Sequence, residues 1–200
     1  MTKIKMCGLS RIEDIEAANS IKPDYVGFVF AGISKRRVSA AEAGKLKSKL
    51  DPDVKAVGVF SDDKLDFVAS VLNLGVIDAV QLHGSEDEEY IEKVHEITDK
   101  PIIKAFIIRS KEDVERAEKS TADCVLLDGG KGEGKAFDQS LLKGIKRPYF
   151  LAGGLNPDNV FDAVKALKPY AVDVSTGIET DGVKDREKMK AFADTVREEG

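Results

Sequence analysis

The sequence is poor in the residues that form covalent cross-links and transition-metal sites. Its 200 residues include two cysteines, Cys7 and Cys124, and two histidines, His83 and His95. Two thiols cannot build the disulfide framework of a small secreted domain, so any function of these cysteines would come from the thiol group. The chain also lacks HExxH, paired CxxC and similar ligand spacings, and His95 falls within a charged helical pattern. We therefore expect no metal site.

Long apolar runs and an excess of positive charge are also missing. No stretch approaches the roughly 18 to 20 apolar residues that would span a bilayer, and the first residues, MTKIKMCG, form no secretory signal. The formal net charge is -5, whereas broad nucleic-acid binding usually depends on a basic patch. These features predict a cytoplasmic protein with no nucleic-acid or membrane partner, in which a local site holds any anionic ligand.

What the sequence does contain is a repeated alternation of short apolar strands and amphipathic helices, in eight units. The predicted strands are IKMC near residue 4, YVGFVF from Tyr25, KAVGVF from Lys55, DAVQLH from Asp78, PIIKAFII from Pro101, DCVLLD from Asp123, PYFLAG from Pro148 and YAVDVS from Tyr170. Eight units favour an α/β fold, a single (βα)8 TIM barrel as one catalytic domain over 1–200, rather than a doubly wound open sheet. Periodicity alone does not show that the sheet closes.

Helical patterns follow the strands, and several begin with a residue that commonly caps a helix. The predicted helices span 11–20, 40–50, 64–74, 86–97, 111–119, 139–145, 157–167 and 185–198. The candidate N-caps are Ser10 (in a capping box with Glu13), Ser39, Asp63, Ser85, Ser110 and Asn156. Active sites of such barrels lie at the carboxyl ends of the strands. The residues that end each strand are therefore the candidates for function.

Two ionisable residues end apolar strands. Cys7 ends strand 1, on the same side of the strand as Lys5. A lone Cys is usually a small buried apolar residue, which is how we interpret Cys124, but at the barrel mouth Cys7 is a candidate base or nucleophile. Asp128 ends strand 6 before a glycine-rich loop. Such an Asp commonly caps a turn, yet its delivery from an apolar strand to the catalytic face suits a general acid.

Glycine-rich turns follow strands 7 and 8. Gly153 and Gly154 come after strand 7, and Ser175, Thr176 and Gly177 come after strand 8. A glycine after a strand often marks only a turn. However, phosphate commonly binds between these two loops in TIM barrels, and glycine lets backbone N–H groups approach a ligand closely. The paired placement predicts a phosphate site.

The ends of strands 2 and 4 carry basic and titratable side chains. Arg36 and Arg37 follow strand 2, and either could bind a carboxylate bidentately or lie in solvent. His83 ends strand 4 as a proton carrier, an orienting donor or a packed residue. The loop GGKGEGKAFD after strand 6 is neither a Walker A motif nor a dinucleotide fingerprint, so we expect no nucleotide cofactor.

Taken in chain order, the segments KMCG, GFVFAGISKRRV, VQLHGSE, LLDGG with GEGKAFD, LAGGLNPDNV and VDVSTGIE with GVKD resemble the phosphoribosylanthranilate isomerase family of tryptophan biosynthesis. The resemblance covers residues 3 to 185. It implies an Amadori rearrangement of N-(5-phosphoribosyl)anthranilate to 1-(2-carboxyphenylamino)-1-deoxy-D-ribulose 5-phosphate. It also implies that neither a metal nor an organic cofactor takes part.

The resemblance further implies roles for individual residues. The family's general base matches Cys7, its general acid matches Asp128, and Arg36 would hold the anthranilate carboxylate, while His83 is a substrate-binding candidate without a fixed role. The residues of the implied phosphate site are Gly153, Gly154, Ser175, Thr176 and Gly177. The sequence departs from the family pattern at Lys35, where SPRxV is more common, and at Gln139, where Trp often follows FD.

Two other functions compete with this one. A dual-substrate histidine and tryptophan aminoaldose isomerase has similar chemistry. Such barrels are longer and typically carry an Asp at the end of strand 1, so Cys7 and the short chain argue against this function. A catalytically silent phospho-ligand binding barrel would share the fold. The presence of Cys7, Asp128 and Arg36 in one chain argues against that function. We expect a phosphorylated small-molecule substrate and a monomer or homodimer.

Overall fold

The eight predicted strands form one closed parallel barrel. The computed structural model describes residues 1–32, 34–130, 139–142 and 145–198. The barrel strands are β1 (Lys3–Cys7), β2 (Tyr25–Val29), β3 (Lys55–Phe60), β4 (Ala79–Leu82), β5 (Ile102–Ile107), β6 (Cys124–Asp128), β7 (Tyr149–Ala152) and β8 (Ala171–Val174). Each strand pairs with the next, and β8 pairs with β1. The (βα)8 TIM barrel is therefore confirmed, and the open sheet is excluded.

Helices cover the outside of the barrel and follow most of its strands. Within the described ranges they are α1 (Ile12–Ile21), α2 (Ala40–Lys47), α3 (Leu65–Asn73), α4 (Glu88–Ile97), α5 (Lys111–Lys119), α6 (Val160–Leu167) and α7 (Arg186–Glu198). A 3₁₀ turn (Thr176–Ile178) and a small antiparallel hairpin of β9 (Glu179–Thr180) and β10 (Val183–Lys184) follow β8. None of the helices found in these ranges is long and apolar enough to cross a membrane.

The predicted helix over 139–145 is wrong. Its first part is a short 3₁₀ helix, Gln139–Leu142, and residues 143 and 144 lie outside the described ranges, as does the 131–138 part of the glycine-rich loop. A seven-residue segment that contains a glycine makes too few helical hydrogen bonds to offset the cost of nucleation.

The helix starts are partly as predicted. Ser39 and Ser110 are N-caps, as expected. The capping box of Ser10 with Glu13 is wrong, because the buried carboxylate of Asp14 accepts the backbone N–H groups at the start of α1 instead. The candidate N-caps Asp63, Ser85 and Asn156 are also wrong, because the N-caps of α3, α4 and α6 are Lys64, Asp87 and Asn159. Five helices, α1, α3, α4, α6 and α7, begin one to three residues later than predicted.

The two-residue alternation of the strands divides the core into layers. In β6, Leu126 packs inside the barrel, whereas its neighbours Val125 and Leu127 pack in the layer between sheet and helices. The interior cluster consists of Val57, Ala79, Ile103, Ala105, Leu126, Phe150, Ala152 and Ala171. A separate small cluster at the mouth contains Cys7, Val29, Ala31 and Val59. The apolar core of the barrel interior therefore lies below the mouth, where the strand ends carry the candidate functional groups.

Truncation inside the barrel should be costly. Leu126 is fully buried, so Leu126→Ala should lower the free energy of unfolding by about 2–5 kcal/mol through lost burial and a residual cavity. The exposed Leu74, at 61%, offers a matched control, for which Leu74→Ala should change stability by at most about 0.5 kcal/mol. Urea unfolding followed by circular dichroism measures both, and equal losses in the two variants would contradict the burial of Leu126 in the core.

Candidate active site

A cavity of about 450 Å³ opens at the carboxyl ends of the barrel strands. Eight of the nine predicted site residues line it: Cys7, Arg36, His83, Asp128, Gly153, Gly154, Ser175 and Thr176. The ninth, Gly177, lies beside Thr176 in an adjoining groove. The closed barrel thus brings together residues that are scattered over most of the chain.

Cys7 lies at the end of β1 in the apolar part of the mouth. Its side chain is buried and packs with Val29, Ala31 and Val59. The paired residue on β2 is Gly27, where an added Cβ would lie 2.7 Å from the Cys7 Sγ. The absence of a side chain on β2 therefore leaves the room that the thiol occupies.

Charged groups from several elements surround this thiol. Lys5, two residues earlier on the same face of β1, is fully buried, and its Nζ donates to Asp173 Oδ1 of β8 at 2.7 Å. Burial raises the pKa of the Cys7 thiol above its ordinary value, and the Asp173 carboxylate adds to the increase. The ammonium groups of Lys5 and Lys184 act in the other direction and lower the pKa of Cys7, without cancelling the effect of burial. Ionisation of Cys7 thus depends on these cations.

Asp128 lies at the end of β6, beside His83 of the β4 end. One carboxylate oxygen, Oδ1, accepts the backbone N–H of Gly130 at 2.8 Å, and the other, Oδ2, lies 3.6 Å from His83 Nε2. The side-chain amide nitrogen of Gln81 lies 2.7 Å from His83 Nδ1. When that amide donates to Nδ1, the neutral imidazole carries its proton on Nε2, the nitrogen that faces Asp128.

The turns after β7 and β8 approach each other through glycines. Gly153 has φ of +102°, and a Cβ there would lie 2.6 Å from the Gly129 nitrogen. At Gly177 a Cβ would lie 1.9 Å from the carbonyl oxygen of Leu155, which belongs to the turn after β7. A side chain at Gly153 would push the turn after β7 away from the end of β6, and one at Gly177 would push the turns after β7 and β8 apart. Both glycines therefore keep backbone close to the region in which the sequence predicts a phosphate.

The structure distinguishes the two arginines that follow β2. Arg36 lines the cavity, and its Nε and Nη2 donate to the two carboxylate oxygens of Glu179, at 2.5 and 2.6 Å. Arg37 instead donates from Nε to the Phe30 carbonyl at 3.3 Å. Gly8 allows the Arg36 side chain to pass, since a Cβ at Gly8 would lie 2.5 Å from the Arg36 Cδ. Arg36 is thus the arginine available to a ligand in the cavity.

Glu179 contacts the cavity residue Arg36 and was not among the residues predicted from the sequence. It is the first residue of the β9–β10 hairpin and accepts hydrogen bonds from Arg36 and from Lys184 Nζ, the latter at 2.6 Å. Burial raises its pKa, but the two cations overcome this and lower the pKa of Glu179 to about 2. Glu179 is therefore ionised throughout the range in which proteins work.

The sequence carried a usable signal for some of the missed residues. Lys5 and Asp173 are charged residues within apolar strands, a pattern that indicates a buried ion pair. Glu179 and Lys184 offered no such signal, because they lie in a polar segment that looks like solvated surface. Glu179 and Lys184 reach Arg36 only because the short β9–β10 hairpin packs beside the mouth of the barrel.

Thiol reactivity measures the influence of the charges around Cys7. In a Cys124→Ser background, alkylation of Cys7 by iodoacetamide should have its pH midpoint above the ordinary cysteine pKa of about 8.5, because burial dominates. Lys5→Met should raise the midpoint further, since it removes a cation. Mass spectrometry follows the adduct.

Lys104 provides a matched control for that experiment. It is also a buried strand lysine, but its Nζ donates to Glu86 at 2.9 Å and to the Gly84 carbonyl at 2.7 Å, near the end of β4. Lys104→Met should therefore leave the midpoint unchanged. A midpoint at or below the ordinary value in the parent, or an equal increase in both lysine variants, would contradict the electrostatic assignment.

The chain is similar in sequence to one family over nearly its whole length. The family model described as N-(5'phosphoribosyl)anthranilate (PRA) isomerase matches residues 4–195. The N-(5'-phosphoribosyl)anthranilate isomerase of Endomicrobium trichonymphae is 48% identical over 194 residues, which cover 94% of this chain and 95% of that protein. That of Clostridium acetobutylicum is 47% identical over 206 residues, with 98% of each chain covered.

Solved structures give the same result. The phosphoribosyl anthranilate isomerase of Thermotoga maritima superposes with a TM-score of 0.89 at 36% identity, covering 99% of this chain and 100% of that one. An isomerase in complex with reduced 1-(o-carboxyphenylamino)-1-deoxyribulose 5-phosphate superposes with a TM-score of 0.88 at 35% identity, over 99% and 100% of the two chains. The chain belongs to the N-(5'-phosphoribosyl)anthranilate isomerase family, an enzyme family of tryptophan biosynthesis.

Proposed function

We propose that the chain isomerises N-(5-phosphoribosyl)anthranilate to 1-(2-carboxyphenylamino)-1-deoxy-D-ribulose 5-phosphate with Cys7 as general base and Asp128 as general acid. The observation that carries the assignment is that these two ionisable groups, from β1 and β6, line one cavity. Glycine turns lie on one part of its rim and a guanidinium on another. A substrate with a phosphate at one end and a carboxylate at the other fits this arrangement.

The proposed phosphate end is formed by the turns after β7 and β8. Within the described parts of the chain, the backbone N–H groups of Gly153 and Gly154 have no hydrogen-bond acceptor. Such groups are suited to donate to phosphate oxygens. Ser175, Thr176 and Gly177 would complete this end, with the sugar ring extending from it toward the middle of the cavity.

The first proposed step is protonation of the furanose ring oxygen by Asp128. Proton delivery lets the bond between C1 and the ring oxygen break, and the nitrogen lone pair then forms an iminium at C1. His83 faces Asp128 Oδ2 at 3.6 Å. We assign His83 to orienting this carboxyl group and to contacting the substrate.

The second proposed step is removal of the C2 proton by the thiolate of Cys7. The iminium withdraws electrons from C2, so that the pair left by the proton forms the double bond of an enolamine. Tautomerisation then delivers a proton to C1 and releases one from the C2 hydroxyl, which gives the ketone. Lys5 and Lys184 favour the thiolate that this step requires. The reaction is thus a balanced set of proton transfers.

Loss of either proposed catalytic group should be severe. For Cys7→Ala and for Asp128→Asn we expect kcat to fall by about 10²- to 10⁴-fold, because each removes one positioned proton transfer. Turnover of N-(5-phosphoribosyl)anthranilate by the purified wild type and variants, with circular dichroism as the check on folding, provides the measurement. Near-normal kcat in a folded variant would refute that residue's role.

Removal of the proposed carboxylate contact should act mainly on binding. Arg36→Met should raise KM by about tenfold or more, since a charge-assisted bidentate contact is lost, with a smaller change in kcat. Steady-state kinetics separate the two constants. Arg37→Met is the matched control and should change neither constant, because Arg37 contacts a backbone carbonyl instead. Unchanged KM and kcat in Arg36→Met would exclude Arg36 as the carboxylate contact.

We further propose that residues 1–200 act as a single catalytic domain in the cytoplasm, as a monomer or homodimer. One solved relative is described as the mutually generated monomers of a dimeric phosphoribosylanthranilate isomerase from Thermotoga maritima, which makes both states reasonable for this family. No feature of the described residues favours a dual-substrate isomerase or a silent binding barrel. Assays with both aminoaldose substrates would distinguish these alternatives.

A further inference from the structure

We propose that Glu179 is the positioning residue of the carboxylate clamp: it holds Arg36 by one edge of the guanidinium so that the other edge faces the substrate's aryl carboxylate. This inference rests on the proposed role of Arg36. The site is otherwise formed by the ends of the barrel strands and their loops, and Glu179 of the β9–β10 hairpin would contribute to its substrate specificity.

The geometry of the pair leaves one edge of Arg36 available. A guanidinium has five N–H donors in a planar fork, and Glu179 takes Nε and Nη2, at 2.5 and 2.6 Å. In the described part of the chain Nη1 has no protein acceptor. The Arg36 side chain is 26% exposed and that of Glu179 is 6% exposed. Arg36 therefore presents its unused edge to the cavity, while Glu179 lies behind it.

Glu179 is itself fixed from a second side. Lys184, its pairing partner across the hairpin, donates from Nζ to Glu179 Oε1 at 2.6 Å and to the Ser175 carbonyl at 2.8 Å. The Lys184 side chain is 2% exposed. Because Lys184 bonds both the clamp and the turn after β8, it ties the proposed carboxylate end to the proposed phosphate end at a set separation.

The charge of this cluster also suits a carboxylate ligand. Arg36 and Lys184 are two cations around the single anion Glu179, which leaves one positive charge in excess. An aryl carboxylate on the free edge of Arg36 would neutralise it. Bidentate pairing of this kind is directional as well as strong, so the clamp would discriminate against aminoaldoses that lack the carboxylate.

The loop that carries Arg36 does not by itself fix the position of the arginine side chain. Lys35 precedes the arginine, so no proline ring restricts the backbone there. The side chain of arginine has several rotatable bonds, and holding it in one geometry costs conformational entropy. Glu179 has already ordered the guanidinium before substrate arrives, which lowers the cost of binding.

The test is Glu179→Gln, which keeps the size of the side chain and removes its charge. We expect KM for N-(5-phosphoribosyl)anthranilate to rise by about tenfold or more and kcat to change by less than about threefold. With N-(5-phosphoribosyl)aniline, which lacks the carboxylate, KM should equal that of the wild type. The control Glu187→Gln removes the same charge from an exposed position nearby and should change neither constant.

Three further results separate positioning from a general structural role. In an Arg36→Met background, Glu179→Gln should raise KM by no more than about twofold, because the residue acts through Arg36. Competitive inhibition by inorganic phosphate should keep its wild-type constant. If Glu179→Gln fails to fold, the double variant Glu179→Gln, Lys184→Met also removes the buried cation that the first change leaves unpaired. In this double variant the KM for N-(5-phosphoribosyl)anthranilate should approach the KM for N-(5-phosphoribosyl)aniline.

The proposal is overturned if Glu179→Gln leaves KM for the carboxylated substrate unchanged. It is equally overturned if KM rises as much for the aniline substrate, or if the increase persists in the Arg36→Met background. Failure of the underlying function would look different, since the wild type would not turn over N-(5-phosphoribosyl)anthranilate or Arg36→Met would keep its KM.

Discussion

Lys5 and Asp173 form an ion pair inside the barrel, between the first strand and the last. Their backbones are paired in register, and Nζ and Oδ1 are 2.7 Å apart with Lys5 fully buried. A buried ammonium without its partner would be strongly unfavourable, so the charge of Lys5 depends on closure of β8 onto β1. Cys7 lies two residues further along the same face. The contact that completes the barrel therefore also provides the cation that opposes the effect of burial on the thiol.

The site resolves an apparent conflict between the net charge of the protein and its substrate. A chain of net charge -5 has to hold a ligand with a phosphate and a carboxylate. Three cations, Lys5, Arg36 and Lys184, lie around the cavity, and Lys5 and Lys184 are buried against the carboxylates of Asp173 and Glu179. We propose Arg36 for the carboxylate of the ligand and the backbone N–H groups of the glycine turns for its phosphate. Each acidic partner fixes a cation in place, so a chain of negative net charge still offers oriented donors to an anion locally.

Most of the fold could be predicted because it depends on local patterns. Apolar runs spaced by amphipathic helices identified all eight strands of the barrel but not the β9–β10 hairpin, and the ends of the barrel strands identified Cys7 and Asp128 as cavity residues. The helix over 139–145 failed because a pattern with apolar positions does not show whether enough hydrogen bonds can form. Closure itself was beyond a local pattern, since it joins the two ends of the chain.

The polar detail of the site was less predictable for the same reason. The choice between Arg36 and Arg37 depends on Glu179, which is 143 positions away in the chain from Arg36. The four residues that link Glu179 to its hairpin partner Lys184 give no sign of burial in sequence. Contacts of this kind arise only when the chain segment after the last strand folds over the mouth of the barrel.

A crystal structure of this chain with the reduced reaction product would show whether Cys7 and Asp128 face the reacting atoms of the sugar. We expect the phosphate on the turns at Gly153 and Ser175, the aryl carboxylate on the outer edge of Arg36, and C2 of the sugar within about 3.5 Å of Cys7 Sγ, a distance at which proton transfer is feasible. Asp128 should lie on the opposite side of the sugar. A ligand bound in the reverse direction, or with C2 beyond the reach of Cys7, would contradict it.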